Sequence, residues 1–475
     1  MRPLALLLVT ALVLEAAGAA AAPAPSGTPT GASRGRAIVD PRLALAAQPG
    51  AQPVAVWVEF ADKGEQGPAD LAAKLAEAER ALTPESRHRR EKAHVQPLVD
   101  YMDLPLESTY VSALQAAGYA VYGQSRWFNR VAVHTSGTRL LGLADFAFVR
   151  HVAPVELAAP RVREPEVAPV APPPASFREP SLPAAAQVLY GQTLGQLARL
   201  NIPAVHDSGY IGFGISVCLL DDGFNWYRKH EALRTIPVGA RTRDFIRGTL
   251  SVQDTVDNPD FFVHGTWTLS QVAGRKTGRY LGSAYGCNAI LGRTEDDGSE
   301  TPIELVYWGM GAEWADSLGA DIISSSLGYN IFDNPVNDIT YPMLDGHTST
   351  VTRAAEIAAA KGMLVVVSAG NDGANRFAGY KIGAPADANG DSVLAIGALD
   401  SLGVRAAFSS KGPTFDGRIK PDLSAQGVEN LLASVDGDPN TYERHSGTSF
   451  SAPLVAGLAA CLMQARPTWP PVLII

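Results

Sequence analysis

Two stretches of the chain carry regular hydrophobic patterning, and the patterns differ. In the first, VAVWVEF (54–60) reads as a strand. An alanine-rich helix follows at 70–82, and the charged stretch after it extends as a second helix. STYVSALQAAG (108–118) reads as a helix with Ser108 at its cap and Gly118 past its end. YAVYG (119–123) and NRVAVHT (129–135) are strands, TRLLGLADF (138–146) a short helix and FVRHV (148–152) a last strand. The order β-α-β-β-α-β predicts a small ferredoxin-like α+β domain with one added helix.

The second pattern begins near Tyr190. Near-continuous apolar runs, ISVCLL (215–220), ADIISSSL (320–327), MLVVVSA (363–369) and SVLAIGAL (392–399), alternate with helical stretches such as STVTRAAEIAAAKG (349–362). Strands without polar alternation are buried on both faces, so this region predicts a parallel α/β sheet covered by helices on both sides. Functional sites of such folds lie at the carboxyl ends of the strands. Between the two regions, RVREPEVAPVAPPPASFREPSLP (161–183) has too much proline for either period and reads as an extended linker. At the start, Arg2, an apolar core at 4–14 and small residues near 20–22 have the form of a secretory signal peptide. The domain plan is therefore a signal peptide (1–22), an amino-terminal region (23–155, compact from 53 to 154), a Pro-rich linker (156–185) and an α/β domain (186–475).

Composition narrows the function. A net charge of −9 gives no electrostatic case for nucleic acid as partner. Apart from the leader, no segment reads as a membrane span. Cys218, Cys287 and Cys461 sit in apolar runs and read as buried thiols, and their spacing suggests neither disulfides nor a metal site. RHRRE (87–91) reads as a solvated helical face rather than a dibasic processing site, and RTEDDGSE (293–300) as an acidic surface loop. PADANGDS (385–392) alternates like a calcium loop but lacks its glycine and distal glutamate, so it reads as a polar turn.

Chemistry concentrates at the strand ends. ISVCLL runs into Asp221-Asp222-Gly223, His264-Gly265 opens a helical pattern, and VVVSAGNDG places Asn371 between a buried strand and a turn. Ser446, Thr448, Ser449 and Ser451 crowd before an apolar helix, where hydroxyls commonly cap. Singly these are turn or cap residues. Together they supply a nucleophile, a base, an orienting acid and an oxyanion donor, the requirements of serine acyl transfer.

The four segments resemble the motifs of the subtilisin-like serine proteases (subtilases), Asp-x-Gly, His-Gly-Thr, Ala-Gly-Asn and Gly-Thr-Ser-x-Ser-x-Pro, in that family's order of Asp, His, Ser. The resemblance covers about 190–475, and the β-α-β-β-α-β unit before it is similar to the family's inhibitory propeptide. It implies that Ser449 is the nucleophile, His264 the base and Asp221 its orienting acid, in preference to Asp222. Asn371 would donate to the oxyanion. Ser326, Leu327 and Gly328 would pair with substrate, and Ser368, Ala369 and Gly370 would form the opposite wall of the first specificity pocket. Small walls imply room for a sizeable side chain and broad specificity. The implied protein is a secreted endopeptidase precursor acting on polypeptides, with its own propeptide as partner and no metal or cofactor assigned, calcium being left open. The rival is an inactive peptide-binding relative. Its support is the ending, since only 26 residues follow Ser449, which reads as a truncated carboxyl terminus. An α/β-hydrolase esterase is disfavoured because Ser451 stands where Gly-x-Ser-x-Gly needs glycine.

Overall fold

The computed structural model describes residues 37–156, 188–253, 262–374 and 382–475. The expected signal peptide, and all of the expected linker except Glu156, lie outside these residues.

The amino-terminal domain is a five-stranded sheet in the order β1-β5-β2-β4-β3. Its strands are β1 (Ile38–Val39), β2 (Val54–Phe60), β3 (Val121–Ser125), β4 (Arg130–Thr135) and β5 (Val149–Pro154). The expected frame is present, with helices Ser108–Ala116 and Gly137–Gly142 in the two crossovers. Helices Pro68–Ala81 and Pro84–Lys92 are inserted after β2, and β1 adds a short parallel edge that the sequence reading lacked. Strand alternation sends Val56, Val58, Phe60, Val131 and Val133 into this domain's own core. The opposite face, with Trp57 and Ala132, packs instead with Val155 on Ile303, Val306 and Tyr307 of the second domain. Gly123 permits that approach: a Cβ there would stand 2.4 Å from Val306 Cγ1.

The second domain is built on seven strands, all parallel, in the order β14-β13-β12-β11-β6-β10-β7. They are β6 (Ser216–Asp221), β7 (Thr242–Asp244), β10 (Asn288–Arg293), β11 (Ile322–Ser325), β12 (Leu364–Ser368), β13 (Val393–Leu399) and β14 (Leu423–Gln426). The pairs β8 (Arg275–Lys276) with β9 (Tyr280–Leu281), and β15 (Asn430–Ala433) with β16 (Tyr442–His445), are short antiparallel ribbons. From β6 the chain first crosses to the edge strand β7, comes back to place β10 between β7 and β6, and then passes to the other side of β6 to place β11 onward. That reversal makes the carboxyl ends of β6 and β11 a topological switch point, where open α/β sheets place their sites.

Helix Thr448–Ala465 lies against the sheet and is buried along almost its whole length. It is the one helix among the described residues long and apolar enough to cross a membrane, and 78% of that window is buried inside the fold. The three cysteines are free and buried, as expected.

Three surface readings need correction or refinement. Arg89 and Arg90 are not on a solvated face: each is about 1% exposed and faces Asp316 of the second domain. Their counter-charge is over 200 residues away in sequence, where a local charge pattern cannot register it. In the acidic loop, Arg293, Thr294 and Glu295 are buried. Arg293 pairs with Asp244 at 3.0 Å and Glu295 accepts from the Tyr329 hydroxyl. In the expected polar turn, Asp387 is fully buried, binding Gly346 N at 2.9 Å and Thr352 Oγ1 at 2.6 Å. Burial holds its carboxyl up, to about 6.

Candidate active site

Asp221 is the last residue of β6, at the switch point. Its Oδ1 lies 2.6 Å from His264 Nδ1, and its Oδ2 accepts from Thr268 Oγ1 at 2.8 Å. Thr268 is one helical turn beyond His264, so both side chains of an i, i+4 pair reach one carboxylate. That spacing is visible in the sequence, and Thr268 is a residue the sequence reading missed. Asp222 does something else. Its carboxylate accepts His264 N at 3.1 Å and Gly265 N at 2.9 Å, the opening N–H groups of helix His264–Ala273. It therefore caps and aims the helix that carries His264. Arg293 Nε, donating to Asp222 O at 2.8 Å, fixes this corner from β10. Gly265 is required by close approach: a Cβ would stand 2.3 Å from Gly223 O.

The electrostatics follow from this geometry. Burial disfavours the His264 imidazolium, but the charge and hydrogen bond of Asp221 outweigh it and raise the ring to about 9. Asp222 is pushed well above the ordinary carboxylate range by burial and then by the neighbouring Asp221 charge. Asp221, Asp222 and His264 are close enough to suggest a metal cluster, but their facing atoms are engaged with one another, with Thr268 and with the helix N–H groups.

The hydroxyls before the last helix are now distinguishable. Ser446 Oγ accepts from Glu429 N at 3.0 Å, Ser451 Oγ donates to Thr448 O at 2.9 Å, and Thr448 Oγ1 donates to Asn371 Oδ1 at 3.0 Å. None of them caps the helix; the cap position is Gly447, with no side-chain bond. Ser449 is left with one long contact, donating to Ser326 O at 3.3 Å. Among the described residues no hydrogen bond joins it to His264. Such bonds are commonly long or misaligned before substrate arrives.

Asn371 is fixed at one end. Its Oδ1 accepts both Thr448 N, at 2.9 Å, and Thr448 Oγ1. This leaves Nδ2 as the donor end of the amide, 3.6 Å from where a Cβ on the cap residue Gly447 would stand. A side-chain donor near a helix N-terminus is the kind of group that suits a developing oxyanion.

Residues 326–328 continue the line of β11 beyond its ladder. Ser326 is buried, and a Cβ on Gly328 would meet nothing within 4 Å. Ser368 Oγ donates to Leu327 O at 3.3 Å, bringing the ends of β11 and β12 together. Ala369 is buried, and Gly370 takes the left-handed φ of +102° while its N–H reaches Thr448 Oγ1 at 3.2 Å. All ten expected site residues thus gather around the ends of β6, β11 and β12 and the two helix starts.

Comparison with known proteins places the chain in a family. Residues 212–474 match the model of the subtilase family. The chain belongs to the subtilase family. Residues 55–167 match the peptidase S8 propeptide domain of Bacteroidota, so this subtilase carries a propeptide-type domain ahead of its α/β domain. Subtilisin E of Bacillus subtilis (strain 168) is 29% identical over 276 residues, which cover 58% of this chain and 61% of that protein. The subtilisin of Bacillus pumilus is 29% identical over 276 residues, covering 85% of its length, and the alkaline protease of Alkalihalobacillus alcalophilus is 31% identical over 274 residues, covering 60%. This subtilase therefore spans about three fifths of the length of subtilisin E.

Proposed function

We propose that the chain is the precursor of a secreted serine endopeptidase that hydrolyses peptide bonds through an acyl-enzyme on Ser449. The observation that carries this reading is the Asp221–His264 contact at 2.6 Å, together with a Ser449 hydroxyl held only by a long 3.3 Å bond to Ser326 O. In the reaction His264 Nε2 takes the Ser449 proton as Oγ attacks the carbonyl carbon. Asn371 Nδ2 and Ser449 N–H stabilise the tetrahedral oxygen. The C–N bond breaks as His264 returns the proton to the leaving amine, and water then hydrolyses the ester by the same route. Asp221, supported by Thr268, keeps Nδ1 protonated and aimed. Ser326, Leu327 and Gly328 offer an unladdered edge to an extended peptide, which reads backbone more than side chain. With the small wall of Ser368, Ala369 and Gly370, that supports broad specificity.

Secretion rests on the leader at 1–22, and the amino-terminal domain acts as the enzyme's own inhibitor until it is cut away. The Asp221–His264 contact and the Asn371 side chain held by Thr448 support this reading over the inactive peptide-binding one. Labelling tests the proposal: a phosphonyl reagent directed at activated serines should modify Ser449 alone, seen by peptide mass mapping. Folded protein that stays unlabelled would return the chain to the inactive reading.

A further inference from the structure

Arg89 and Arg90 of the 87–91 motif lie in the contact between the two domains. Arg89, Arg90 and Arg126 of the amino-terminal domain converge on one carboxylate, Asp316, which is about 1% exposed. Arg90 Nη2 is 2.8 Å from Asp316 Oδ2 and Arg126 Nη2 is 3.1 Å from it; Arg89 bonds Oδ1. Arg89 also donates to Ala320 O at 2.8 Å and Lys361 O at 3.2 Å, both in the α/β domain. A reverse pair crosses the same boundary, Lys361 to Asp103 at 2.9 Å. Lys92 reaches Asp321 at 3.4 Å, and Glu313 accepts Arg126 N at 3.1 Å and Trp127 N at 3.2 Å. Little of this network can form within either domain alone.

The apolar part of the contact, Trp57 and Ala132 on Val306, would accept many flat sheets. Buried charges are less permissive, because a partner that fails to match them leaves a desolvated ion unpaired. We infer that Asp316 is the recognition anchor by which the α/β domain selects its own amino-terminal domain, and that the partner it fits is a sheet domain presenting adjacent arginines on a helix. The inference rests on reading the amino-terminal domain as a propeptide that must be held after cleavage. Rim charges set the rate of encounter and its salt dependence, whereas buried pairs set the rate of departure. Asp316 belongs to the second class.

The test is made on the precursor with Ser449→Ala and a cleavage site for an added protease placed within 157–187, so it does not depend on self-processing. After cutting, the two fragments should co-elute in gel filtration. Asp316→Asn should speed their separation about 10²–10³-fold, in the range expected for truncating one side of a buried charged pair. Replacing the charges by apolar residues, Arg89→Met with Arg90→Leu and Asp316→Leu, should recover most of the hold. If Asp316→Asn does not fold, judged by circular dichroism, Arg89→Met on the other domain gives the same readout. Fragments of a folded variant that separate within threefold of the parent rate overturn the inference, as do parent fragments that separate at once. Absence of self-cleavage in the wild-type precursor would count against the protease reading and leave this result standing.

Discussion

Ser326 and Ser449 hold each other by two bonds. Ser326 Oγ donates to Ser449 O at 2.8 Å, and Ser449 Oγ donates to Ser326 O at 3.3 Å. The first bond exists because Pro453, four residues on in the helix, has no N–H to give the Ser449 carbonyl. A helix defect thereby fixes the Ser449 backbone to the end of β11. Ser326→Ala strands a buried carbonyl and should cost about 1–3 kcal/mol of stability, seen as a lower melting temperature. An unchanged melting temperature would mean that water replaces the bond.

Asn371→Ala should lower kcat with little change in KM, because the Nδ2 bond strengthens in the transition state. The expected loss is about 10²–10³-fold, the size known for this donor in subtilisin itself. Unchanged kcat would reduce Asn371 to an anchor for Thr448.

The elevated His264 pKa sets the sign of two pH effects. Catalysis needs the neutral ring, so kcat/KM should rise with pH along a limb above the ordinary imidazole value of about 6.5, toward about 9. Asp221→Asn should move that limb downward and cut kcat by about 10⁴-fold. Stability runs the other way. A pKa raised on folding contributes stability that is complete below about 6.5 and lost as pH rises through about 9. Melting curves of wild type and Asp221→Asn across this range should therefore converge at alkaline pH.

Asp222→Ala separates the two adjacent acids. Its loss uncaps helix His264–Ala273 and should cost about 1–2 kcal/mol, while the pH limb moves down less than in Asp221→Asn, because the Asp222 charge raises His264 less than Asp221 does. A limb displaced as far as in Asp221→Asn would mean that Asp222 shares the orienting role.

The sequence made legible what is local or repeated. Unbroken apolar runs marked β6, β11, β12 and β13, and the residues at their ends supplied Asp221, Ser326, Ser368 and Asn371. Preference for Asp221 over Asp222 came from resemblance; the geometry supplies the reason, one carboxylate facing a ring and the other a helix end. Contacts between distant segments were illegible. Arg89 and Arg90 looked solvated because Asp316 follows more than 200 residues later, and Glu295 looked exposed because Tyr329 covers it from another loop. Thr268 was legible in principle, one turn from His264, but a threonine inside a helix carries no signal until its partner is placed.

Whether Ser449 is the nucleophile is decided most directly by self-processing. Purified wild-type precursor, followed by intact mass, should cut itself between 155 and 190 and release the amino-terminal domain. Ser449→Ala should remain full length and folded, while Ser446→Ala and Ser451→Ala should still process. Processing of Ser449→Ala at the wild-type rate would exclude Ser449 as the nucleophile.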